Sequence, residues 1–422
     1  MAKAENKHFI SWTEDWTAVF LGFLIIVLTL AGMKLPSPSL AWKSSAELFG
    51  SVLTLGNLSS LALLFAGVYA IVLAGTWMLD KNFLNTIKGF PVVFGLTTFA
   101  LILAGNAVVK NWNLEAVIFS LGIGLIISNF FKVPEWLKTT LSTELFVKIG
   151  LVLLGTSVIF SDILKAGSLG LVQAVLVVIS VWYFAYWVCK KLKVDEELAI
   201  MISSAVSICG VSAAIASSGA IKGDPKKLSY VISVVLITAI PMIIFLPLAA
   251  RFLGLSEEVT GAWLGGTIDT TGAVIASGSL VGETALKIST IVKFSQNVLL
   301  GLAAFAISIY WTYSNNHSST DKDSKPTLGV IWERFPKFVL GFLAASILFS
   351  FFVTTDTMDS VKGGLKFLQG LWFALAFTSI GLETKFSDLF KLQGKKPLYA
   401  FLIAQLFNII VTLGIAYMLF DK

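Results

Sequence analysis

Apolar runs of near-bilayer length recur from one end of this chain to the other, and a segment inside hydrocarbon must satisfy every backbone amide and carbonyl internally. The runs lie near 18–33, 58–78, 91–109, 116–131, 146–160, 169–189, 198–221, 228–249, 260–277, 288–311, 338–353, 367–382 and 398–419, roughly thirteen in all. Only short polar connectors separate them, leaving no room for a soluble domain. The 422 residues are 56% hydrophobic and only 13% charged, too little polar surface to cover a soluble globule. The expected fold is therefore an all-α polytopic membrane protein.

The formal net charge of +6 would suit a nucleic-acid partner. The lysines, however, come in ones to threes at the ends of the runs, where they act as cytoplasmic membrane anchors. No nucleic-acid partner is expected; the lipid bilayer is. Cys189 and Cys209, the only cysteines, both sit in apolar runs, so neither a disulfide framework nor a thiolate metal site can be built. His8 and His317, the only histidines, fall in polar stretches, which takes the usual zinc ligand and proton shuttle out of the membrane interior. The leader carries Lys3 and Lys7 but also Glu5, Glu14 and Asp15, and the run after it is longer than a signal-peptide core. An uncleaved anchor is preferred over cleavage near Ser39-Leu40-Ala41, with the N-terminus in the cytoplasm.

Most tryptophans, including Trp16, Trp77, Trp112, Trp136, Trp311 and Trp332, lie at run edges, where an amphipathic ring suits the headgroup region. The long polar stretch SNNHSSTDKDSKPT looks like a flexible linker. The chain accordingly divides into N-terminal scaffold spans (1–110), a first repeat with two interrupted segments (111–312), the linker (313–334) and second-repeat spans (335–422). The repeat rests on KIGLVLLGTSVIFSDILK, from Lys148, which returns as FALAFTSIGLETKFSDLFK, from Phe373. An odd number of crossings between the copies makes them face opposite sides, the mark of an inverted-repeat secondary transporter.

A second, shorter resemblance relates AAIASSGAIKGDPKKLSYVIS, from Ala213, to AVIASGSLVGETALKISTIVK, from Ala273. Chance likeness of two Ala/Ser-rich helices is the alternative explanation. If both segments cross fully, the chain has about 13 spans and the two run parallel. If both are re-entrant, it has about 11 spans plus two hairpins that enter from opposite faces. The hairpin alternative gives the larger charge asymmetry, because it puts Lys222, Lys226 and Lys227 on the side of Lys190, Lys191 and Lys193.

Small residues in a bilayer either let helices pack closely or, at glycine, let the backbone leave helical geometry. SSAVSICGVSAAIASSG is dense in hydroxyls around a central Gly210, and GGTIDTTGAVIASG repeats the recipe. Paired interruptions at membrane depth mark a binding site, since only protein or a water-filled cavity can satisfy the freed backbone. The half-helix amides and hydroxyls suit an anion, and unwound carbonyls suit Na⁺ or a proton relay. Asp269 and Lys293 lie in apolar surroundings, each costing roughly 2.5–3.5 kcal/mol at the bilayer centre. Either they neutralise each other as a buried pair, or Lys293 faces an anionic substrate while Asp269 binds the driving cation or tunes that lysine. Gln296 and Asn297, on the turn after Lys293, extend the polar lining. The candidate site is Ser207, Cys209, Gly210, Ser212, Gly266, Thr267, Asp269, Thr270, Thr271, Lys293, Gln296 and Asn297. No cofactor is expected, only a coupling ion, Na⁺ or H⁺, at Asp269.

At SICG (Ser207 to Gly210) with Ser212-Ala213, at GGTI leading into AVIASG, and at VKFSQN, the chain resembles the YeiH-like putative sulfate exporter family of bacterial membrane proteins. That resemblance implies a secondary transporter of the inner membrane working by alternating access, with an elevator-like core, a homodimeric scaffold, and sulfate or sulfite as cargo. Where the family pattern has a His-Glu pair this chain has Asp269 and Thr270, and where it has an arginine this chain has Gln296. With one fixed positive charge fewer, a sulfonate, carboxylate or bicarbonate becomes an alternative substrate. A Na⁺/H⁺-type exchanger using Asp269 is the rival function. A channel lacks a selectivity ring, and an intramembrane protease lacks a second carboxylate or a membrane histidine, so no enzyme is expected.

Overall fold

The computed structural model describes residues 12–33, 36–111, 116–314, 329–387 and 395–421. The polar leader with His8, Trp112, most of the expected linker with His317, and the end of the second repeat copy lie outside the described residues. Among those described, the chain is helical, with one isolated bridge between Trp42 and Asn106 and no strand.

In chain order, the longer helices are α1 (Glu14–Leu30), α2 (Leu55–Met78), α3 (Phe83–Ala104), α4 (Ala116–Phe130) and α5 (Thr143–Gly155). Then come α6 (Phe160–Lys191), α7 (Glu196–Ser204), α8 (Val211–Ile221), α9 (Pro225–Phe252) and α10 (Glu257–Thr267). The last are α11 (Thr271–Val281), α12 (Glu283–Ser314), α13 (Lys337–Ile347), α14 (Thr355–Glu383) and α15 (Lys395–Phe420). Among the described residues seven, namely α2, α3, α6, α9, α12, α14 and α15, are long and apolar enough to cross a bilayer. The last six residues of the stretch expected as linker, Gly329–Arg334, form a short helix packed on α12, where Ile331 backs onto Gly301.

Contacts divide the chain into two compact units interleaved in sequence. The first comprises Met1–Asn111, Val133–Ser157 and Lys337–Ser379. In it, α1 starts at Thr13, whose hydroxyl accepts the Trp16 amide, and Glu14 and Asp15 complement the positive helix end. The same two acids hold Lys148 of α5, at 2.9 Å and 3.0 Å, and the second oxygen of Asp15 accepts the Lys337 amide that opens α13 (2.7 Å). Three helices are thus tied at one ionic knot. Along their lengths they meet at glycines, with Gly22 against Val152 and Gly155 against the Phe342 carbonyl, which lets the backbones approach closely.

The second unit comprises Trp112–Lys132, Val158–Pro336 and Ile380–Lys422. In it, α6 packs lengthwise against α12 and against α15, and all three helices contact two short-armed hairpins. The Glu197 carboxylate, at the start of α7, accepts the amide of Asp224, just past the end of α8 (3.1 Å). Lys227 bridges the same base, 2.6 Å from Asp195 and 3.2 Å from Glu197. The second hairpin closes alike, as Glu257 at the start of α10 accepts the amides of Thr284 and Ala285, beyond α11. Both small-residue runs therefore return to the end where they began. Each arm of 11 residues, α8, α10 or α11, is about 16 Å long, half of a roughly 30 Å hydrocarbon layer. Hydropathy read the two arms of each as one span because a hairpin of two apolar arms has the length and composition of a crossing.

The two bases adjoin opposite ends of α9, whose 28 residues span about 42 Å. The tips meet between them, beside Val235 of α9. The arms of the second hairpin lie on α12 through Gly261, Gly265 and Gly278, where an added Cβ would come within 2.5–2.8 Å of Ala285 and Ser289 atoms. The two stretches that resemble each other in sequence are the outgoing arms and the helices after them.

Candidate substrate site at the hairpin tips

Each tip is an interruption with its own local cause. In the first, α7 loosens into a π-helical turn, Ala205–Cys209, closed by the Gly210 amide on the Ala205 carbonyl. Gly210 then takes φ +61° and ψ −113°, where any side chain is strained, and an added Cβ would lie 2.8 Å from Val235 and 3.0 Å from the Asp269 Cβ. In the second, α10 stops at Thr267, Ile268 is extended, and Thr270 caps α11 by accepting the Ala273 amide (3.3 Å).

An α-helix ends in unsatisfied carbonyls and begins with unsatisfied amides. The two incoming arms leave their carbonyls at the tips, and buried side chains cover them. Lys293 of α12, 1% exposed, donates to the carbonyls of Ile208 and Ile268 and to Gln296 Oε1, each at 2.8 Å. Gln296 donates to the carbonyls of Ser207 (2.8 Å) and Gly266 (3.2 Å). From α15, Asn408 donates to Val206 and Thr267, Gln405 donates to Thr267, and Thr412 holds the Asn408 amide oxygen (2.7 Å). From α6, Gln173 donates to the Ala262 carbonyl (2.7 Å). Gly266 is glycine for space, since a Cβ there would sit 2.5 Å from the Gln173 amide nitrogen.

The outgoing arms present the opposite pole. Gly210 offers no side-chain cap to the first amides of α8, and the tips adjoin closely enough that a Gly210 Cβ would lie 3.3 Å from Thr270 Cγ2. Two helix N-termini therefore converge, with Ser212 exposed and Thr270 and Thr271 half-buried beside them. Such ends carry partial positive charge and free N–H groups, the chemistry that binds an anion. Asn297 reaches this rim by donating to Thr271 (3.3 Å).

The twelve residues singled out in the sequence all lie on the tips or on the turn of α12 behind them, in three different roles. Ser212, Thr270, Thr271 and Asn297 form the rim. Lys293 and Gln296 hold incoming carbonyls, those of Ser207 and Gly266 among them, while the Thr267 carbonyl is held by Gln405 and Asn408, and all three N–H donors of Lys293 are used on protein acceptors. The Ser207 hydroxyl bonds back to the Ser203 carbonyl (2.7 Å) and does not line the rim. Cys209 is buried and not disulfide-bonded. Asp269 is 1% exposed and makes no ion pair with Lys293, and neither of its oxygens has a hydrogen-bond partner. The buried pair weighed in the sequence is thus absent among the described residues. Glu383 ends α14, exposed. Gln173, Gln405, Asn408 and Thr412 went unnoticed in the sequence. Their signal was available: carboxamides inside apolar helices, with Gln405, Asn408 and Thr412 at i, i+3 and i+7 on one face.

Comparison with known proteins places the chain in a family. Residues 88–401 match the family described as Conserved hypothetical protein 698. The chain is 41% identical over 370 residues to a UPF0324 membrane protein of Rhodopirellula baltica, covering 84% of this chain and 67% of the relative. It is 35% identical over 380 residues to a UPF0324 membrane protein of Nitratidesulfovibrio vulgaris, covering 86% and 64%. A UPF0324 membrane protein of Nitrosomonas europaea is 28% identical over 473 aligned residues, covering 96% and 95%. The chain thus spans about two thirds of the length of the first two. No solved structure matches it.

Proposed function

We propose that this chain, which belongs to the YeiH-like UPF0324 family of membrane proteins described as Conserved hypothetical protein 698, is a secondary transporter for a small anion. The observation that carries the proposal is the meeting of two helix N-termini at the tips of hairpins that open toward opposite ends of α9. An anion at that rim lies between two half-membrane barriers, and shifting one relative to the surrounding helices exposes it to one side at a time. With both interrupted segments re-entrant, the chain has about eleven crossings, the segments beginning at Ala213 and Ala273 enter from opposite faces, and the copies beginning at Lys148 and Phe373 are inverted repeats. An elevator-like motion, a homodimer and a bacterial inner membrane with the N-terminus in the cytoplasm belong to the same proposal.

The rim offers amides and hydroxyls to the substrate, and Lys293 supplies field without a free donor. That chemistry suits a compact oxyanion such as sulfate, sulfite, a sulfonate, a carboxylate or bicarbonate. The test is a thermal-shift screen of the purified full chain against sulfate, sulfite, methanesulfonate, acetate and bicarbonate, followed by flux in proteoliposomes. An anion at 100 times its dissociation constant adds about 2.7 kcal/mol of stability. Absence of both shift and flux across the panel removes the proposal. The unpartnered Asp269 carboxylate supports a second reading, a cation exchanger that moves no anion, and cation flux without anion flux decides for it.

A further inference from the structure

We infer that the ion coupled to transport is a proton carried on Asp269, bound together with the anion, and that Na⁺ has no seat in this site. The inference rests on the anion-transporter reading and goes beyond it in naming the coupling ion and the sign of the coupling.

A sodium ion in an interrupted helix is held by unwound backbone carbonyls. Here those of Val206, Ser207, Ile208, Gly266, Thr267 and Ile268 already accept from Asn408, Gln296, Lys293 or Gln405. The position between the Ile208 and Ile268 carbonyls, where a cation would bridge the two tips, is filled by the Lys293 ammonium. It is an ammonium because three acceptors at 2.8 Å need three protons on one nitrogen. A second cation there would meet a like charge at close range.

Asp269 is a different kind of acceptor. Both its oxygens are buried without a partner, so either one is open to a proton. The ionisable group facing it in this unit is Lys293 on α12, which Cys209 on the first tip also faces. Residues 231–250 of α9, 400–416 of α15, 166–182 of α6 and all of α4 carry none. A proton needs one carboxylate oxygen and no cage, and this site supplies that.

The sign of the coupling follows from two charges. With Asp269 ionised, its −1 cancels the +1 of Lys293 and the rim is near neutral. With Asp269 protonated, the +1 stands alone behind two helix N-termini. Proton binding therefore strengthens anion binding, and by linkage anion binding draws in a proton. The two travel in the same direction, the proton coming from water as the anion arrives and returning to water as it leaves.

The test uses the full chain in proteoliposomes containing a pH-reporting dye, with sulfate, methanesulfonate and ethanesulfonate as probes, in sodium-free and sodium-containing buffers. Anion influx should acidify the interior at rates that agree within twofold with and without sodium. Apparent affinity should weaken by about tenfold per pH unit once Asp269 titrates, the slope of one linked proton. Asp269→Asn mimics the neutral acid, and its affinity should change less than twofold across the same range while no proton moves. A tenfold dependence on sodium, proton movement opposite to the anion, or an unchanged pH slope in Asp269→Asn overturns the inference. If that variant does not fold, calorimetry of the unaltered chain in buffers of different ionisation enthalpy counts protons taken up per anion bound. One is expected, and zero overturns it. Binding of none of the three probes removes the transporter reading itself, and with it this inference, a result distinguishable from anion flux without protons.

Discussion

Two lysines in two parts of the molecule, Lys148 half-buried and Lys293 buried, show how partners decide what a charge does. In the first unit, Lys148 is ringed by acids: Glu14 at 2.9 Å, Asp15 at 3.0 Å and Glu144 at 3.8 Å, with the Phe338 ring 5.7 Å away. Its charge is neutralised on the spot, and the knot pins α1, α5 and α13. In the second unit, Lys293 is held by two carbonyls and one amide oxygen, with no acid bonded to it. Its hydrogen bonds are complete but its charge is left over, which makes one lysine a peg and the other a source of field.

Replacing each lysine tests the contrast, and the largest effect is expected at Lys293. Lys293→Met leaves the Ile208 and Ile268 carbonyls uncovered, at about 1–3 kcal/mol each. Anion flux per folded molecule should vanish, and thermal unfolding should show the loss of stability. Lys148→Met should lower stability by about 1–3 kcal/mol, less than the roughly 3–5 kcal/mol of a pair fully shut from water, because Glu14 is 30% exposed. Flux per folded molecule should persist. If Lys148→Met abolishes flux in folded protein while Lys293→Met spares it, the roles are reversed.

The smallest effect is expected at the base of the first hairpin, where an acid and a lysine meet near water. Burial works to raise the Asp195 carboxyl, but the hydrogen bond and charge of Lys227 outweigh it and hold the group below its ordinary value of 3.8. A lowered acid contributes stability above its unfolded value and loses it as the pH falls through the folded one. The loss should therefore begin only below about pH 4 and stay within about 0–1 kcal/mol for so exposed a pair. Unfolding midpoints of Asp195→Asn and the unaltered chain should converge in acid, and a difference that grows there would put the stabilising group elsewhere.

Gly210 and Lys293 were legible because each breaks a local rule: a glycine amid serines where a span wants leucine, and an ammonium where hydrocarbon excludes it. Their relation was not legible. The sequence offered Asp269 as the partner of Lys293 because side chains are what a sequence spells out. The actual partners are two backbone carbonyls, which every residue carries and which only a helix ending at that point releases. Gln173, Gln405 and Asn408 were hidden for a related reason, since one carboxamide in an apolar helix looks incidental until a carbonyl end is found opposite it.

By itself the sequence determined that the chain is helical and membrane-embedded, where its helices are interrupted, and which charged side chains sit in apolar surroundings. Hydropathy and glycine act locally, so those properties can be read one segment at a time. Only the tertiary structure decided that the interrupted segments turn back, that their tips meet, and that Lys293 covers carbonyls while Asp269 stands without a partner. These depend on which chain ends come together across the fold, and the energy of a hydrogen bond or a buried charge is set by the atoms it meets, not by its neighbours in sequence.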